Sequence, residues 1–426
     1  MIRSTFAETP VEPTDTRELT SYMLIGARVA LDPDSAVLAD VEIRNGRIAA
    51  ITNSPTTMGY GLSACKSQAS RTIDLSGYLL LPGLINAHDH LEFNLFPRLG
   101  RGPYLNFEDW ANDVYHPHRS PVREHLLVPK PVRYWWGALK NLLSGVTTVC
   151  HHNAAIPRSL ARSFPVRIVN RYGWAHSLAF GGDISAAFIA TPQGSSFIIH
   201  LAEGKDKRSQ EEIFRLDRMR ALNSNTVAVH GVGLDKAGHL LLEERGAGLI
   251  WCPTSNVFTL GRTLGRQEIA QHKNVALGSD SALTAQGDLL DEIRFAFKQT
   301  GLDPKKIYSL VTDSAAQVLR LKNGTGTIRL GDPADLLVVS DTADRPCTKL
   351  VQLTTKDLEA VMVGGRPKLI SAAAAGRWPR AALDKFEVLR VGKIERLIRA
   401  PVQKLLERTR MHLGEEIFLA GKRVTG

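Results

Sequence analysis

Between residues 79 and 324 the chain alternates short apolar runs with helical stretches, and few folds accept that pattern. The apolar runs are residues 79–87, VTTVC, VRIVNRYGW, SSFIIH, TVAVH, GLIWC and VALG. Most are separated by helical stretches such as residues 131–144, SQEEIFRLDRMRAL and GDLLDEIRFAF. Repeated strand–helix units imply a parallel sheet with crossover helices. This many units in one stretch favour a closed barrel over an open sheet. The expected fold is therefore α/β, a (β/α)8 TIM-like barrel over residues 81–324. Only about fifty residues separate Cys150 from His200. Either the third and fourth units are abbreviated around NRYGWAHSLAFGG, or the barrel is irregular there.

The flanks read as strands. Residues 21–80 contain YMLIGARVAL, AVLADVEIRNGRIAAI and RTIDLSGYLLLPG, with a hairpin signal at Asn45-Gly46. Residues 325–375 contain GTIRLGDPADLLVVS and LEAVMVGGRPKLI, with a turn at Gly364-Gly365. Together they suggest one small β-sandwich built from both chain ends. Residues 1–20 read as a loose N-terminal arm, since they lack the apolar stretch of a secretory signal. Residues 376–426 read as a basic helical C-terminal extension. Ile394, Leu397, Ile398, Val402, Leu405 and Leu406 fall near one helical face, with Pro401 expected to interrupt or kink the helix. That face would pack on the barrel or on a partner subunit, which leaves a homodimer open.

The formal charge of +10 is uneven. From Gly376 onward 12 Lys/Arg stand against 6 Asp/Glu, so the tail alone carries +6. It has the mixed charge of a solvated helix rather than a basic stripe with interleaved aromatics, so no nucleic-acid partner is expected. No run of roughly 18 apolar residues exists, so no membrane span is expected. The four cysteines, Cys65, Cys150, Cys252 and Cys347, form no CxxC pair, which suits a reduced, cytoplasmic protein.

Residues with ligand chemistry cluster where the apolar runs stop. His88 and His90 end LLLPGLINAHDH, His200 ends SSFIIH, His230 ends TVAVH, and Asp280 follows VALGS. Side chains at i and i+2 of a strand share a face, so His88 and His90 can point into one barrel mouth. Barrel enzymes build their sites at the C-terminal ends of the strands. Imidazoles with a carboxylate suit zinc, with ferrous iron as the alternative. A lone HxH is as well explained by polar strand ends, but four strand ends carrying ligand-type residues are not.

At these residues the sequence resembles a known family. PGLINAHDHL, HLAEG, VAVHGVGL, CPTSN and LGSDSALT look like signature segments of the amidohydrolase superfamily. The nearest branch contains cytosine and guanine deaminases, S-adenosylhomocysteine deaminase and the triazine hydrolases. The resemblance runs from about Tyr22 to about Ile370 and includes the split β-sandwich. It implies that His88, His90, His200 and Asp280 bind one metal ion. It implies that Glu203, in H-x-x-E, is a proton shuttle, and that His230 hydrogen-bonds the attacking hydroxide or the substrate. No lysine stands in GVTTVCHHN or the segments that follow, where binuclear relatives carry a carboxylated one, so a mononuclear site is implied.

A divalent metal brings the pKa of a bound water toward ~7, so hydroxide is available at neutral pH. Asp280 can take that water's proton, and a buried Glu203 can protonate a ring nitrogen as hydroxide adds to the neighbouring carbon. The expected function is thus deamination of a nitrogen heterocycle, with a small-molecule substrate. The alternatives are hydrolysis of an amide or a C–Cl bond at the same site, and a non-catalytic scaffold of the same fold.

Other polar residues carry less. His151, His152 and His176 stand near the site in sequence. His116, His118, Arg98, Arg101, Tyr104 and Trp110 lie in a long loop of the kind that forms a lid. Ser255 and Asn256 are expected to support the site, and Cys150 and Cys252 to fill the core. HLAEG departs from many deaminases, which carry Thr or Ser at Gly204, and the short region before the fifth strand leaves the substrate open.

Overall fold

The computed structural model describes residues 21–53, 71–322 and 324–426; the expected N-terminal arm and Cys65 lie outside them. The chain opens with β1 (Ser21–Ala30), β2 (Ala36–Arg44), β3 (Arg47–Asn53), β4 (Arg71–Asp74) and β5 (Tyr78–Pro82). Asn45 and Gly46 both have positive φ, at 53° and 76°, as a two-residue turn joining β2 to β3 requires.

Eight strands then run in parallel pairs. They are β6 (Leu84–Asp89), β7 (Val146–His151), β8 (Arg167–Ile168), β9 (Gly173–Ala175), β10 (Phe197–Leu201), β11 (Thr226–His230), β12 (Gly248–Trp251) and β13 (Val275–Leu277). The chain returns to β6 just past β13, where the Ser279 and Asp280 amides both donate to the His88 carbonyl at 3.0 Å. The abbreviation expected between the second and fifth strands takes a definite form. No helix separates β8 from β9; β8 pairs with β7 and β9 with β10, four residues apart in one run. Several outer helices begin with an aspartate cap: Asp206 accepts from the Ser209 amide, Asp235 from Gly238, and Asp288 from Leu290 and Asp291.

The chain closes with β14 (Leu336–Ser340), β15 (Leu358–Val363), β16 (Arg366–Ser371), β17 (Glu387–Val391), β18 (Ile394–Ile398), β19 (Phe418–Leu419) and β20 (Lys422–Thr425). β14 pairs antiparallel with β5, from Leu336 opposite Pro82 to Ser340 opposite Tyr78, and so joins the two chain ends in one sheet. Alternate residues of this seam serve two cores. Leu80, Leu336 and Val338 pack with Leu24 and Val29, while Leu79, Leu81, Leu337 and Val339 pack with the barrel's outer residues. Gly364 and Gly365 have φ of 56° and 70°, and this turn meets the one at Gly46. A Cβ on Gly46 would stand 2.8 Å from the Gly364 carbonyl oxygen, so the two hairpin signals need glycine for close approach as well as for conformation.

The helical reading of the C-terminal extension needs correction. Ile394, Leu397 and Ile398 lie on β18, which pairs with β16 and β17 and continues the sheet. A tight turn at Gly392, with φ 60°, makes β17 and β18 a hairpin. A short apolar run fits either period, and here the open edge of β16 selects the strand. The helix starts only after Pro401, at Val402–Leu413. Its Val402, Leu405 and Leu406 are buried, and Thr409 accepts a 2.8 Å hydrogen bond from the Trp136 indole of helix Lys130–Leu143, so it packs on the barrel. Among the described residues no helix is long and apolar enough to cross a membrane.

Candidate metal centre

The C-terminal ends of β6, β7, β10, β11 and β13 bring five buried histidines and a buried aspartate together. His88, His90, His152 and His200 each present a ring nitrogen within 4.8 Å of the others. His200 Nε2 is 3.3 Å from His88 Nε2 and 3.4 Å from His90 Nε2. Asp280 Oδ1 is 3.7 Å from both His88 Nε2 and His90 Nε2. Donors on a tetrahedral ion at about 2.0–2.1 Å stand about 3.3–3.4 Å apart, so these nitrogens already have the spacing that one small cation requires.

Hydrogen bonds fix which nitrogen is bare. The His200 Nδ1–H donates to the His176 carbonyl at 2.7 Å, which leaves Nε2 with its lone pair. Asn153 Nδ2 lies 3.2 Å from His90 Nδ1 and 3.0 Å from Glu92 Oε1.

Three non-glycine residues at or beside the strand ends adopt the left-handed region: Ala202 (φ 54°), His230 (φ 76°) and Asp280 (φ 52°). Such backbone costs energy, persists where neighbours over-determine it, and concentrates at functional sites. Each has its anchors. The Ala202 amide donates to Glu212 Oε2 at 2.7 Å. Asp280 Oδ1 accepts from the Ser281 amide at 2.7 Å, and Oδ2 from Ser255 Oγ and Thr284 Oγ1 at 2.6 and 3.0 Å. The His230 Nδ1–H donates to Asn256 Oδ1 at 2.8 Å, so its bare Nε2 faces Glu203 Oε2 at 3.5 Å.

Electrostatics separate the two acids. Burial, with the charges of Asp280 and Glu212 nearby, raises the Glu203 carboxyl well above the usual carboxylate range. Burial opposes ionisation of Asp280 too, but the imidazoles of His88, His230 and His90 around it outweigh burial, and its pKa falls well below normal. Burial pushes His230 down to about 4. An acid pushed towards its protonated form and one pushed towards ionisation therefore face the same space, with an imidazole pushed towards its neutral form between them.

Sequence reasoning ranked some of these residues too low and missed others. His152 is buried within the imidazole cluster, and Ser255 and Asn256 support Asp280 and His230 as expected. His176 is half-buried, its ring 4.8 Å from that of His200. His151 turns away, accepts from the Leu91 amide at 3.3 Å and stands 3.6 Å from Glu92. His116 and His118 are exposed, as is Arg98, whose guanidinium covers the Phe258 ring at 4.4 Å. Cys150 and Cys252 are buried core residues, and burial pushes the Cys150 thiol to about 12. Lys140 was not foreseen. Its ammonium lies beneath the site, 2.7 Å from Asn94 Oδ1, 3.2 Å from Ser279 Oγ and 3.3 Å from the Asp280 carbonyl. A lysine on the apolar face of helix Lys130–Leu143, one turn after Trp136, was the available signal.

The model of the amidohydrolase family matches residues 183–368. The chain is 24% identical over 400 residues to a 5-methylthioadenosine/S-adenosylhomocysteine deaminase from Thermococcus sibiricus, covering 78% of this chain and 89% of the other. A zinc-bound adenosine deaminase from Xanthomonas campestris superposes with a TM-score of 0.68 at 18% identity, over 92% of this chain and 97% of that one. An atrazine chlorohydrolase from Arthrobacter aurescens, complexed with zinc, gives 0.66 at 15% identity, over 92% and 100%. The structural likenesses establish a shared fold.

Proposed function

We propose that this chain, of which residues 183–368 match the amidohydrolase family, is a metal-dependent aminohydrolase of that family that removes an amino group from a nitrogen heterocycle. The observation that carries the reading is the spacing of three imidazole Nε2 atoms and Asp280 Oδ1 beside the Glu203–His230 pair. The names of the sequence relatives, deaminases of adenine nucleosides, support the same bond.

His88, His90, His200 and Asp280 would hold one zinc ion, with iron as the alternative. A bound divalent cation would supply Lewis acidity, bringing the pKa of a water toward ~7. The remaining chemistry belongs to the chain. Glu203, kept protonated by burial, gives its proton to the ring nitrogen beside the carbon under attack. Asp280, kept ionised, accepts a proton from the attacking water. His230 steadies the incoming oxygen through its bare Nε2, because Asn256 holds the proton on the other nitrogen. Asp280 passes its proton to the exocyclic nitrogen, the C–N bond breaks and ammonia leaves; the hydroxyl proton returns to Glu203 as the ring carbon keeps the oxygen as a carbonyl. The cysteines Cys150, Cys252 and Cys347 are unpaired and buried, which suits the reducing cytoplasm.

The test is product analysis with zinc-loaded protein and a panel of aminated purines, pterins, pyrimidines and triazines. Ammonia release with retention of the ring supports the proposal. Ring-opened products, or chloride from a chlorotriazine without ammonia, would replace it with the amide or C–Cl reading.

A further inference from the structure

We infer that His152 is not a ligand of the metal centre but the residue that sets the tautomer of His88, through a relay ending on the Ala175 carbonyl. The inference rests on the ligand set proposed above, and it decides between Asp280 and His152 as the fourth donor beside His88, His90 and His200.

The relay is read from one end. His152 Nε2 lies 2.9 Å from the Ala175 carbonyl oxygen. A carbonyl can only accept, so His152 carries its proton on Nε2. A neutral imidazole has one proton, so His152 Nδ1 is a bare acceptor. That atom is 3.3 Å from His88 Nδ1, and the contact is favourable only when His88 donates. The proton of His88 is then on Nδ1, and its Nε2 is bare where it approaches His200 Nε2 and Asp280 Oδ1 at 3.3 and 3.7 Å. Both nitrogens of His152 are thus committed, and neither has a lone pair left for a cation.

The fold holds the relay rigid. The His152 amide donates to the Asp89 carbonyl at 2.9 Å, tying the end of β7 to the strand that bears His88. Ala175 stands at the end of β9, in the run where β8 and β9 follow one another without a helix. The ring of His152 meets that of His88 edge-on, at 79° and 5.0 Å, and both residues are buried from water that could replace either bond. Such partners typically change metal affinity 10–100-fold when removed.

Nitrogen-15 NMR of the histidine-labelled protein tests this directly, since protonated, bare and metal-bound ring nitrogens resonate apart. In metal-free protein the expected result is a protonated Nε2 and bare Nδ1 on His152, with Nδ1 protonated on His88. This arm needs no zinc, so failure to bind the metal would defeat the proposed function and leave the tautomer result standing. On zinc loading, His88 Nε2 should shift to the metal-bound range while His152 keeps its bare Nδ1. In His152→Phe, which preserves a ring but no nitrogen, zinc affinity should fall 10–100-fold with stoichiometry unchanged; His152→Gln, with both an acceptor and a donor, should recover part of it. A His152 nitrogen carrying zinc, a proton on His152 Nδ1, or unaltered affinity in His152→Phe would overturn the inference.

Discussion

Lys140 Nζ lies 3.4 Å from Asp89 Oδ2, and the two side chains are 1% and 0% exposed. Asp89 stands between the two histidines of HxH, so this ion pair sits directly beneath the metal centre. Its other acceptor positions are filled by Asn94 Nδ2 at 2.5 Å and Asn141 Nδ2 at 2.8 Å. Removing one partner strands a charge in the interior. Lys140→Met should therefore cost about 3–5 kcal/mol, read by urea unfolding of the metal-free protein. Lys140→Met combined with Asp89→Asn should regain part of that loss. A single variant as stable as the parent would show that the charge is dispensable.

Glu203→Gln should retain near-stoichiometric zinc while turnover falls by about 10²–10⁴, because only a proton is removed from the reaction. Metal analysis and ammonia release on the same sample check both halves. Full activity in that variant would remove Glu203 from the mechanism.

His200→Ala should lose the metal as well as the activity. The close contacts of His88 Nε2 and His90 Nε2, at 3.3 and 3.4 Å, both converge on His200 Nε2. Dialysis followed by elemental analysis gives the zinc content, and circular dichroism shows that the fold survives. Retention of one zinc per chain would assign the site to other residues.

The stability of the protein should decline with rising pH through Glu292. Burial raises its carboxyl to about 8, while its Oε2 accepts from the Thr254 amide at 3.0 Å. The folded chain then holds a proton that the unfolded chain releases above about 4.5, so stability is lost as pH climbs from 4.5 to 8 and levels off beyond. The slope is at most about 1.4 kcal/mol per pH unit. Glu292→Gln mimics the protonated form, with a donor for Thr254 Oγ1 and an acceptor for its amide. Denaturation at pH 5 and pH 8 should show the variant gaining on the parent at the higher pH. Parallel curves would mean that Glu292 is not held neutral.

Much of this architecture is local and so was legible in advance. Asn45-Gly46 and Gly364-Gly365 announce turns because positive φ is a property of the residue and its neighbour. His88, His90, His200, His230 and Asp280 could be placed at or just past strand ends because each closes an apolar run. Residues 394–398 went the other way: their apolar spacing fits a helix face, but an unpaired strand edge at β16 was waiting for them. The short run from β8 to β9 showed as missing length, though not as two strands in succession.

Which residue types meet at the mouth of the barrel was thus written in the order of the chain, since strand ends and turns depend on neighbours a few positions away. What surrounds each of them there was decided only by folding. The proton on His88 depends on His152, 64 positions away, the raised pKa of Glu203 on burial and on Asp280, 77 positions away, and the ammonium of Lys140 on Asp89, 51 positions away. Hydrogen-bond direction and desolvation belong to the surroundings of a side chain, and no local pattern of residues contains them.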